Sequence, residues 1–420
     1  MLEQVDIYYD GWAEHWRWGS LVSTTALTGR PLIAFEYSEQ ALDRGLELSA
    51  LRLPLKGPRL RRDFPVHQMG LPGPVYDSLP DGWGMLLMDR LFKRRGLNPA
   101  RIGPLERLAY IGDHAMGAMS FEPVAPDLLM APEDISLERL AAEVEHVLHG
   151  EGGEFLQQLL LMGGSPHGAR PKALLYRDPV DGRFSTVAGP GLDAWLIKFP
   201  GTGEHPEVCA VEAVYAQCLR ECAIDTSDTE HFALPNGQAA FATRRFDRHN
   251  GMRVPMQSLA ALTGADFRAA GALDYTAFLR ASQYCCNDVR AKALAFARVV
   301  FNVAFNNRDD HPKNFAYLMS PSGHWQLAPA YDVTFCEGPG GYHQMDVLGE
   351  ALDISRKHLL RLAMEEAELS NGVAIDIIER ICQVASGFTL RARALFPGDI
   401  TSDTLRTIQA RIDANLARIG

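Results

Sequence analysis

The sequence lacks the features that mark several large classes of protein. Its formal net charge is −11 over 420 residues, so it has no general excess of positive charge for neutralising nucleic-acid phosphates. It has no run of about 18 apolar residues that would make a membrane-spanning helix. The first residues, MLEQVDIYYDGW, lack the basic and apolar regions of a signal peptide. We therefore expect a cytoplasmic protein that does not contact membranes.

The cysteine pattern excludes a further class. Seven cysteines are present, but no CxxC pair and no histidines at zinc-ligand spacing accompany them. This scatter predicts reduced core thiols and argues against a zinc site. Apolar residues make up 47% of the chain and charged residues 22%, as is typical of globular proteins. Because 420 residues exceed what one core usually holds, we expect two or three domains.

The periodicity of apolar residues changes along the chain. Alternating, strand-like segments occur in the first part, whereas the pattern from about residue 256 onward is mostly helical. This succession predicts an α+β protein with two lobes. We place domains at 1–125, 126–250 and 251–420, the first boundary lying in the proline-rich segment 123–133. The predicted strands are 5–9, 32–37, 172–177, 194–199, 239–246, 315–319 and 325–328, and the predicted helices include 84–95, 136–149 and 207–223.

Two segments in the middle of the chain are candidates for binding phosphate. The turn GGSPHGARPKALL, residues 163–175, contains glycines that let backbone N–H groups approach a ligand, together with Arg170 and Lys172. As a bare pattern it is equally well explained as a turn between a helix and a strand. Lys198 lies in the apolar strand AWLIKFP, where its ammonium either reaches solvent or points into a cleft.

Glu212 favours the second role for Lys198. It falls within the apolar stripe of helix 207–223, and a carboxylate on a buried face needs a partner. We therefore predict a Lys198–Glu212 ion pair like the strand lysine and helix glutamate of protein kinases. The alternative is that Glu212 turns to the edge of the stripe.

The polar run NNRDDHPKNFAYL, residues 306–318, separates an apolar helical segment from a predicted strand. Asp309 and Asn314 have the D-x-x-x-x-N spacing of a kinase catalytic loop, in which the aspartate accepts the substrate proton and the asparagine holds magnesium. Asp332, in LAPAYDV, is the expected second metal ligand, since Mg²⁺ prefers oxygen donors. Asp310 is the rival base, and His311 either contacts a phosphate or braces the loop.

The order of these features along the chain carries more weight than any one of them. A glycine-rich turn, Lys198, Glu212, Asp309, Asn314 and Asp332 follow one another as the corresponding parts do in protein kinases. A metal-dependent hydrolase using Asp309, Asp310, His311 and His324 is a weaker interpretation, because no HxxxH or HExxH spacing supports it. The sequence therefore predicts a protein-kinase-like fold.

At these residues the sequence resembles the HipA family of bacterial serine/threonine kinases, the toxins of HipBA-type toxin–antitoxin systems. The resemblance covers nearly the whole chain. It rests on LELSALRLPL, GLPGPVYDSLPDGWGMLLMDRL and RLAYIGDHAMGAMSFEP in the N-terminal part, and on GARPKALL, LIKFP, RRFDR, NNRDDHPKNFAYL and LAPAYDV thereafter. The resemblance implies an N-terminal strand-containing subdomain followed by a kinase region with a mostly helical C-terminal lobe.

The resemblance also implies roles for individual residues. Asp309 would be the catalytic aspartate, Asn314 and Asp332 the magnesium ligands, and Glu212 the partner of an ATP-phosphate lysine at 198. Ser165 would be a site of autophosphorylation that switches the kinase off. The resemblance also implies a phosphate-binding loop from His167 to Lys172 and an adenine hinge near Arg244 to Phe246. The remaining ATP-binding positions implied are therefore His167, Gly168, Ala169, Arg170, Lys172, Arg244, Arg245, Phe246, His311 and Tyr331.

A cellular role follows from the same resemblance. It implies phosphorylation of an aminoacyl-tRNA synthetase, arrest of translation and a persistent, dormant state. It also implies a HipB-like helix-turn-helix antitoxin as partner, with operator DNA contacted through that complex. The alternatives that remain open are a kinase-fold enzyme acting on a small molecule, and a non-catalytic module that binds a repressor partner.

Overall fold

The structure is a computed structural model that describes residues 2–25, 31–125, 133–150, 156–163 and 167–420. The chain divides into two units. The strand-rich unit comprises Met1–Glu204, Phe232–Gln257 and Met319–Gly323. The helical unit comprises His205–His231, Ser258–Leu318 and His324–Gly420.

The strand-rich unit begins with a five-stranded antiparallel sheet of order β4-β3-β2-β1-β5. Alternation along β1 buries Val5, Ile7 and Tyr9 on one face, as period-2 patterning requires. Trp18 and Phe35, both fully buried, pack with their rings 5.3 Å apart on β2 and β3. The strands are β1 (Gln4–Tyr9), β2 (Trp16–Thr25), β3 (Pro31–Tyr37), β4 (Leu60–Arg61) and β5 (Met119–Glu122).

The middle of the chain forms a second sheet. Its order is β11-β9-β7-β8-β6, with the end of β10 beside β11. β7 and β9 are antiparallel neighbours, and their register places Lys172 opposite Lys198. The strands are β6 (Asp134–Ile135), β7 (Lys172–Arg177), β8 (Phe184–Ser185), β9 (Asp193–Lys198), β10 (Thr229–Ala233) and β11 (Ala239–Arg244), followed by the pair β12 (Arg248–His249) and β13 (Met252–Arg253).

Helices of the strand-rich unit show ordinary end signals. Ser38 and Ser136 cap two of them by accepting a backbone N–H, and Gly45 ends the first in a left-handed conformation. α3 buries one apolar face that includes Leu87 and Phe92. These helices are α1 (Glu39–Arg44), α2 (Gly73–Tyr76), α3 (Gly82–Arg94), α4 (Pro104–Ile111), α5 (Leu137–Leu148) and α6 (Leu156–Gly163).

The helical unit is built around α10, whose residues are buried along almost its whole length. One apolar core joins α7, α9, α10, α12 and α14. Asp274, Ser370 and Thr401 cap α9, α12 and α14. The helices are α7 (Glu207–Glu221), α8 (Leu259–Thr263), α9 (Tyr275–Cys286), α10 (Arg290–Ala304), α11 (Arg356–Glu365), α12 (Asn371–Ser386), α13 (Phe388–Leu395) and α14 (Ser402–Ile419). The remaining strands of the chain, which include residues of both units, are β14 (Met256–Ser258), β15 (Ala316–Met319) and β16 (Trp325–Leu327).

The α+β class and the mostly helical C-terminal part are confirmed. Every predicted strand and helix named above is present, with ends shifted by at most two residues. All seven cysteines lie in the described residues, and none forms a disulfide. Within the described residues, no helix combines the length and apolar character needed to span a membrane.

Candidate functional site

The polar run 306–314 forms a structured loop in the helical unit. Asn306 leaves α10 with a φ of 54°, and its carbonyl accepts the N–H of Cys336. A 3-10 turn over Pro312–Asn314 then leads into β15. The Asn314 side-chain amide donates to the Asp309 carbonyl at 2.6 Å, which closes the loop between the two positions that the spacing singled out.

The two adjacent aspartates have different environments. The Asp310 side chain is fully buried. Its carboxylate accepts from the Tyr275 hydroxyl at 2.5 Å, from His343 Nδ1 at 2.7 Å and from the Gln344 backbone N–H at 2.7 Å. The Asp309 side chain is 50% exposed. Asp310 therefore braces the loop from inside, and Asp309 is the carboxylate available to a ligand.

The pKa of Asp309 is raised above its ordinary value. Burial is the main cause that raises its pKa, and the negative charges of Asp332 and Asp310 act in the same direction. His311, whose Nε2 lies 3.8 Å from Asp309 Oδ1, and a 2.7 Å hydrogen bond from Gln344 Nε2 lower the pKa and offset part of this effect. The loop thus gathers negative charge at one point.

The oxygen donors of this loop suit a hard cation. Asp332 follows β16 in a left-handed conformation, with a φ of 55°, which aspartate tolerates better than most residues. Its charge acts on Asp309. Because Asn314 uses its NH₂ group toward the Asp309 carbonyl, its oxygen is turned to the other side of the amide. One amide oxygen and one carboxylate fit Mg²⁺, which keeps several waters and takes further ligands from phosphates.

Other metal chemistries find less support here. Among the residues that the structure describes, no group of three or more histidine, cysteine, aspartate or glutamate side chains is placed to hold a metal ion. A site built from Asn314 and Asp332 is of a different kind, because one of its two protein ligands would be an amide oxygen.

The neighbours of the loop are aromatic and basic. The Phe267 ring lies against two side chains of the loop, its centre 4.4 Å from Lys313 Nζ and 5.4 Å from the centre of the tilted His311 ring. The Tyr331 hydroxyl donates to the Lys313 carbonyl at 2.5 Å, so it supports the loop backbone. Lys313 is 3% exposed.

The strand-rich unit concentrates positive charge on one sheet face. Lys172 and Lys198 occupy directly opposed positions of β7 and β9, so their side chains leave the sheet on the same side. They are 3% and 7% exposed. The alternative in which Lys198 reaches solvent is therefore wrong. Two ammonium groups brought together in this way create a positive potential suited to an anion.

The glycine-rich turn beside Lys172 is anchored to residues 79–83. The Gly168 N–H donates to Asp81 Oδ1 at 2.5 Å, and the Gly168 carbonyl accepts the Trp83 N–H at 3.1 Å. The Lys172 carbonyl accepts from Trp83 Nε1 at 3.1 Å, and His167 Nε2 lies 3.0 Å from the Leu79 carbonyl.

Glycine is required at two positions of this contact. Gly168 has a φ of 106°, and a Cβ there would lie 2.5 Å from Lys172 Nζ. Gly82 has a φ of 38°, and a Cβ there would lie 2.5 Å from the Gly168 carbonyl oxygen. The backbone of the turn thus passes against the start of α3.

The remaining residues of the turn are more open. Ala169 is exposed, and Arg170 pairs with Glu204 at 3.0 Å. Ser165, the expected autophosphorylation site, lies outside the described residues.

The segment RRFDR contains an exposed and a buried arginine. Arg244 is half exposed and pairs with Asp193 at 2.5 Å. Arg245 is buried and donates twice to Asp247, at 2.9 and 2.8 Å, while Arg248 donates to the same carboxylate at 2.8 Å. The Gly117 N–H also donates to Asp247 at 2.8 Å. The arginine side chains at 244 and 245 are thus held by carboxylates, and the contact of 244–246 with adenine stays a prediction.

Within each unit the structure brings together part of the predicted set. Asp309, His311, Asn314 and Asp332 interact in the helical unit. Lys172 and Lys198 meet in the strand-rich unit. Glu212 is 3% exposed on α7 of the helical unit, so its predicted burial is confirmed. Its ion pair with Lys198 stays a prediction.

Sequence reasoning missed the residues that support the loop. Tyr275, His343 and Gln344 lie 30 or more positions away from the aspartates that they contact. The signal that could have revealed two of them is the polar group YHQMD, residues 342–346, within a part of the chain interpreted as almost entirely helical. The pairing of Lys172 with Lys198 was also missed, since register cannot be seen in either strand alone.

Comparisons with known proteins show the family of the chain. The family model of the HipA N-terminal domain matches residues 12–122, and that of the HipA-like C-terminal domain matches residues 164–387, more than half of the chain. A comparison with curated protein sequences gave no match.

The solved structures that are similar to this chain include the following two. One is a chain of the Shewanella oneidensis MR-1 HipA, HipB and operator DNA complex, 17% identical, with a TM-score of 0.72 over 98% of this chain and 96% of that one. The other is the Helicobacter pylori proinflammatory kinase CtkA, 15% identical, with a TM-score of 0.40 over 54% of this chain and 85% of that one. The first shares the fold of the chain described here.

Proposed function

The chain belongs to the HipA family, and from that premise we propose that it is a Mg-ATP-dependent serine/threonine protein kinase. The observation that carries the proposal is the difference in burial and hydrogen bonding between two neighbouring aspartates. Asp310 is buried and held by three donors, whereas Asp309 is half exposed and closed by Asn314 into a loop with the spacing of kinase catalytic loops.

Each residue then has a role in phosphoryl transfer. Asp309 accepts the proton of the substrate hydroxyl as that oxygen bonds to the γ-phosphorus of ATP. The bond from the γ-phosphorus to the bridging oxygen breaks, ADP leaves, and the proton passes from Asp309 to solvent. Asn314 and Asp332 would hold Mg²⁺, which when bound neutralises charge on the phosphates.

The strand-rich unit supports the nucleotide part of the proposal. Lys172 and Lys198 supply positive charge on one sheet face, and the backbone of the turn from His167 to Lys172 passes close to Lys172 Nζ at Gly168. We propose that these groups bind the ATP phosphates, that Glu212 pairs with Lys198, and that the segment 244–246 contacts adenine. His311 and Tyr331 complete the proposed ATP-binding set.

The biological setting is proposed on family grounds. The similar Shewanella protein is named in complex with HipB and operator DNA. We propose a HipB-like helix-turn-helix antitoxin as the partner of this chain, contact with operator DNA through that complex, and an aminoacyl-tRNA synthetase as target. Autophosphorylation at Ser165 belongs to the same proposal.

One experiment tests the kinase function. The wild-type protein is incubated with Mg-ATP and a bacterial lysate, and new phosphosites are identified by mass spectrometry. We expect Asp309→Asn to reduce labelling by about 100- to 10,000-fold, the range typical of a general base. Asp376→Asn, which changes an exposed aspartate on α12, is the matched control and should label as wild type does.

The outcomes separate the alternatives. Labelling of serine or threonine in a protein supports the proposed kinase. Labelling confined to free hydroxyl metabolites would favour the small-molecule enzyme. Stabilisation by Mg-ATP without any transfer would favour a non-catalytic module, and equal labelling by wild type and Asp309→Asn would refute the role of Asp309.

A further inference from the structure

A half-buried glutamine touches both aspartates of the catalytic loop. Gln344 Nε2 donates to Asp309 Oδ1 at 2.7 Å, and the Gln344 backbone N–H donates to Asp310 Oδ1 at 2.7 Å. One residue therefore fixes the buried carboxylate with its main chain and the exposed carboxylate with its side chain.

The backbone around Gln344 is firmly placed. The Gln344 carbonyl accepts the Gly271 N–H at 2.9 Å, and the Asp346 carbonyl accepts the Tyr275 N–H at 3.0 Å. Met345 and Val347 are fully buried in the core of the helical unit. This alternation anchors the chain on one side and leaves the Gln344 side chain on the other.

Asp310 ties this segment to the rest of the loop. His343 and Tyr275 both donate to its second oxygen, and Tyr275 accepts a 3.0 Å hydrogen bond from Asn302 of α10. Asn307 donates in turn to Asn302 at 2.9 Å. The position of Gln344 is thus set by a connected polar network that begins inside α10.

The consequence for Asp309 is geometric. A carboxylate on a half-exposed side chain rotates about its Cβ–Cγ bond, and only some orientations place an oxygen toward an incoming hydroxyl. A donor fixed on one oxygen sets the direction of the other.

We propose that Gln344 is a positioning residue for phosphoryl transfer, and that its side-chain N–H orients the Asp309 carboxylate toward the substrate hydroxyl. This inference rests on the proposed kinase function. Gln344 acts on the reaction through its hydrogen bond to Asp309.

Two substitutions separate hydrogen bonding from packing. Gln344→Met keeps the length of the side chain and removes the donor. Gln344→Glu keeps its shape and places a carboxylate oxygen against Asp309 Oδ1. Both retain the backbone N–H to Asp310, so both should fold, and thermal denaturation checks that they do.

The readout is transfer from Mg-ATP to the protein target that wild type labels in lysate. We expect kcat to fall about 10- to 100-fold for Gln344→Met and further for Gln344→Glu, because misplacement of a reacting group costs rate at this scale. The KM for ATP should stay within about twofold, since orientation of the base does not contribute to nucleotide binding. In the Asp309→Asn background, Gln344→Met should cause no further loss.

A matched control exists on α7. Gln217 Nε2 donates to Glu221 Oε1 at 3.1 Å on the helix surface, so Gln217→Glu introduces the same repulsion away from the aspartates. It should leave kcat unchanged. If Gln344→Glu is as active as wild type, or if Gln344→Met raises KM and spares kcat, the positioning role is refuted. Absence of transfer by wild type itself would instead refute the proposed kinase, so the two failures are distinguishable.

Discussion

Both units bury an aspartate completely, but they satisfy it in different ways. In the strand-rich unit, Asp247 is held by the guanidinium groups of Arg245 and Arg248. In the helical unit, Asp310 is held by a phenol, an imidazole and a backbone amide. The first arrangement is a cluster of opposite charges, and the second is a hydrogen-bonded network that continues to Asp309 through Gln344.

The two aspartates differ in the groups that determine their charge and position. Burial alone raises the pKa of Asp247, but the two guanidinium groups outweigh it and hold the pKa well below its usual range. Burial and the neighbouring Arg245 lower the pKa of Arg248 to about 9 despite its contact with Asp247. The charges of this cluster depend strongly on one another. We conclude that Asp247 serves the stability of its unit, whereas Asp310 serves the geometry of a loop.

The largest effect is expected from Asp247→Asn. The substitution leaves two buried guanidinium groups without their counter-charge, which costs about 3–5 kcal/mol of unfolding free energy. Five of the six tryptophans (12, 16, 18, 83 and 195) lie in the strand-rich unit, so urea unfolding followed by tryptophan fluorescence reports mainly on it.

The control for this variant is Asp193→Asn. It removes the half-exposed partner of Arg244, and we expect a change of about 0–1 kcal/mol. Similar losses of unfolding free energy in the two variants would show that the buried cluster stabilises the unit no more than an exposed ion pair does.

A smaller loss of stability is expected from Asp310→Asn. The amide retains one acceptor oxygen but turns an NH₂ group toward donors, which costs about 2–3 kcal/mol. Hydrogen exchange should quicken in α9 and in residues 343–347, and transfer activity should fall because the loop loses its internal brace. Asp353→Asn, which changes the exposed partner of Arg418, is the control. Unchanged exchange in both segments would show that the network does not hold the loop.

The smallest effect is a difference in acid sensitivity. The folded-state pKa of Asp247 is lower than its value of about 3.9 in an unfolded chain. The folded state therefore binds fewer protons, so this stabilisation is complete above the unfolded pKa and is lost as the pH falls from about 5 toward the folded pKa. Tryptophan fluorescence between pH 7 and pH 3 should show a loss of stability in wild type that is smaller in Asp247→Asn. An identical pH dependence in both would assign the acid sensitivity to other groups.

Local patterns predicted the elements well and the contacts between them poorly. The spans of β7 and α7, and the burial of Glu212, follow from periodicity because each is a property of one segment. The ten-residue strand β2 was not identified, since Gly19 and the serines and threonines around it weaken its pattern. In the sheet, a Cβ at position 19 would lie 2.7 Å from the Phe35 ring, which explains why this position is a glycine. This explanation depends on the neighbouring strand β3 and cannot be seen in β2 alone.

In the candidate site, too, local spacing predicted more than long-range contacts could be predicted. The spacing of Asp309 and Asn314 singled out a pair that is in fact joined by a hydrogen bond. The choice between Asp309 and Asp310 rested on spacing alone, whereas burial and the donors around Asp310 now give it a physical reason. Those donors come from α9 and from residues 343–344, so long-range packing had to be known first.

The anchoring of the glycine-rich turn has a consequence for how this chain can be divided. The turn lies in the region matched by the C-terminal family model, but the residues that hold it, from Leu79 to Trp83, lie in the region matched by the N-terminal one. A fragment beginning at residue 164 would retain the turn residues 167–172 and lose the anchors from Leu79 to Trp83. The region matched by the N-terminal family model therefore fixes the conformation of a turn that belongs to the C-terminal one.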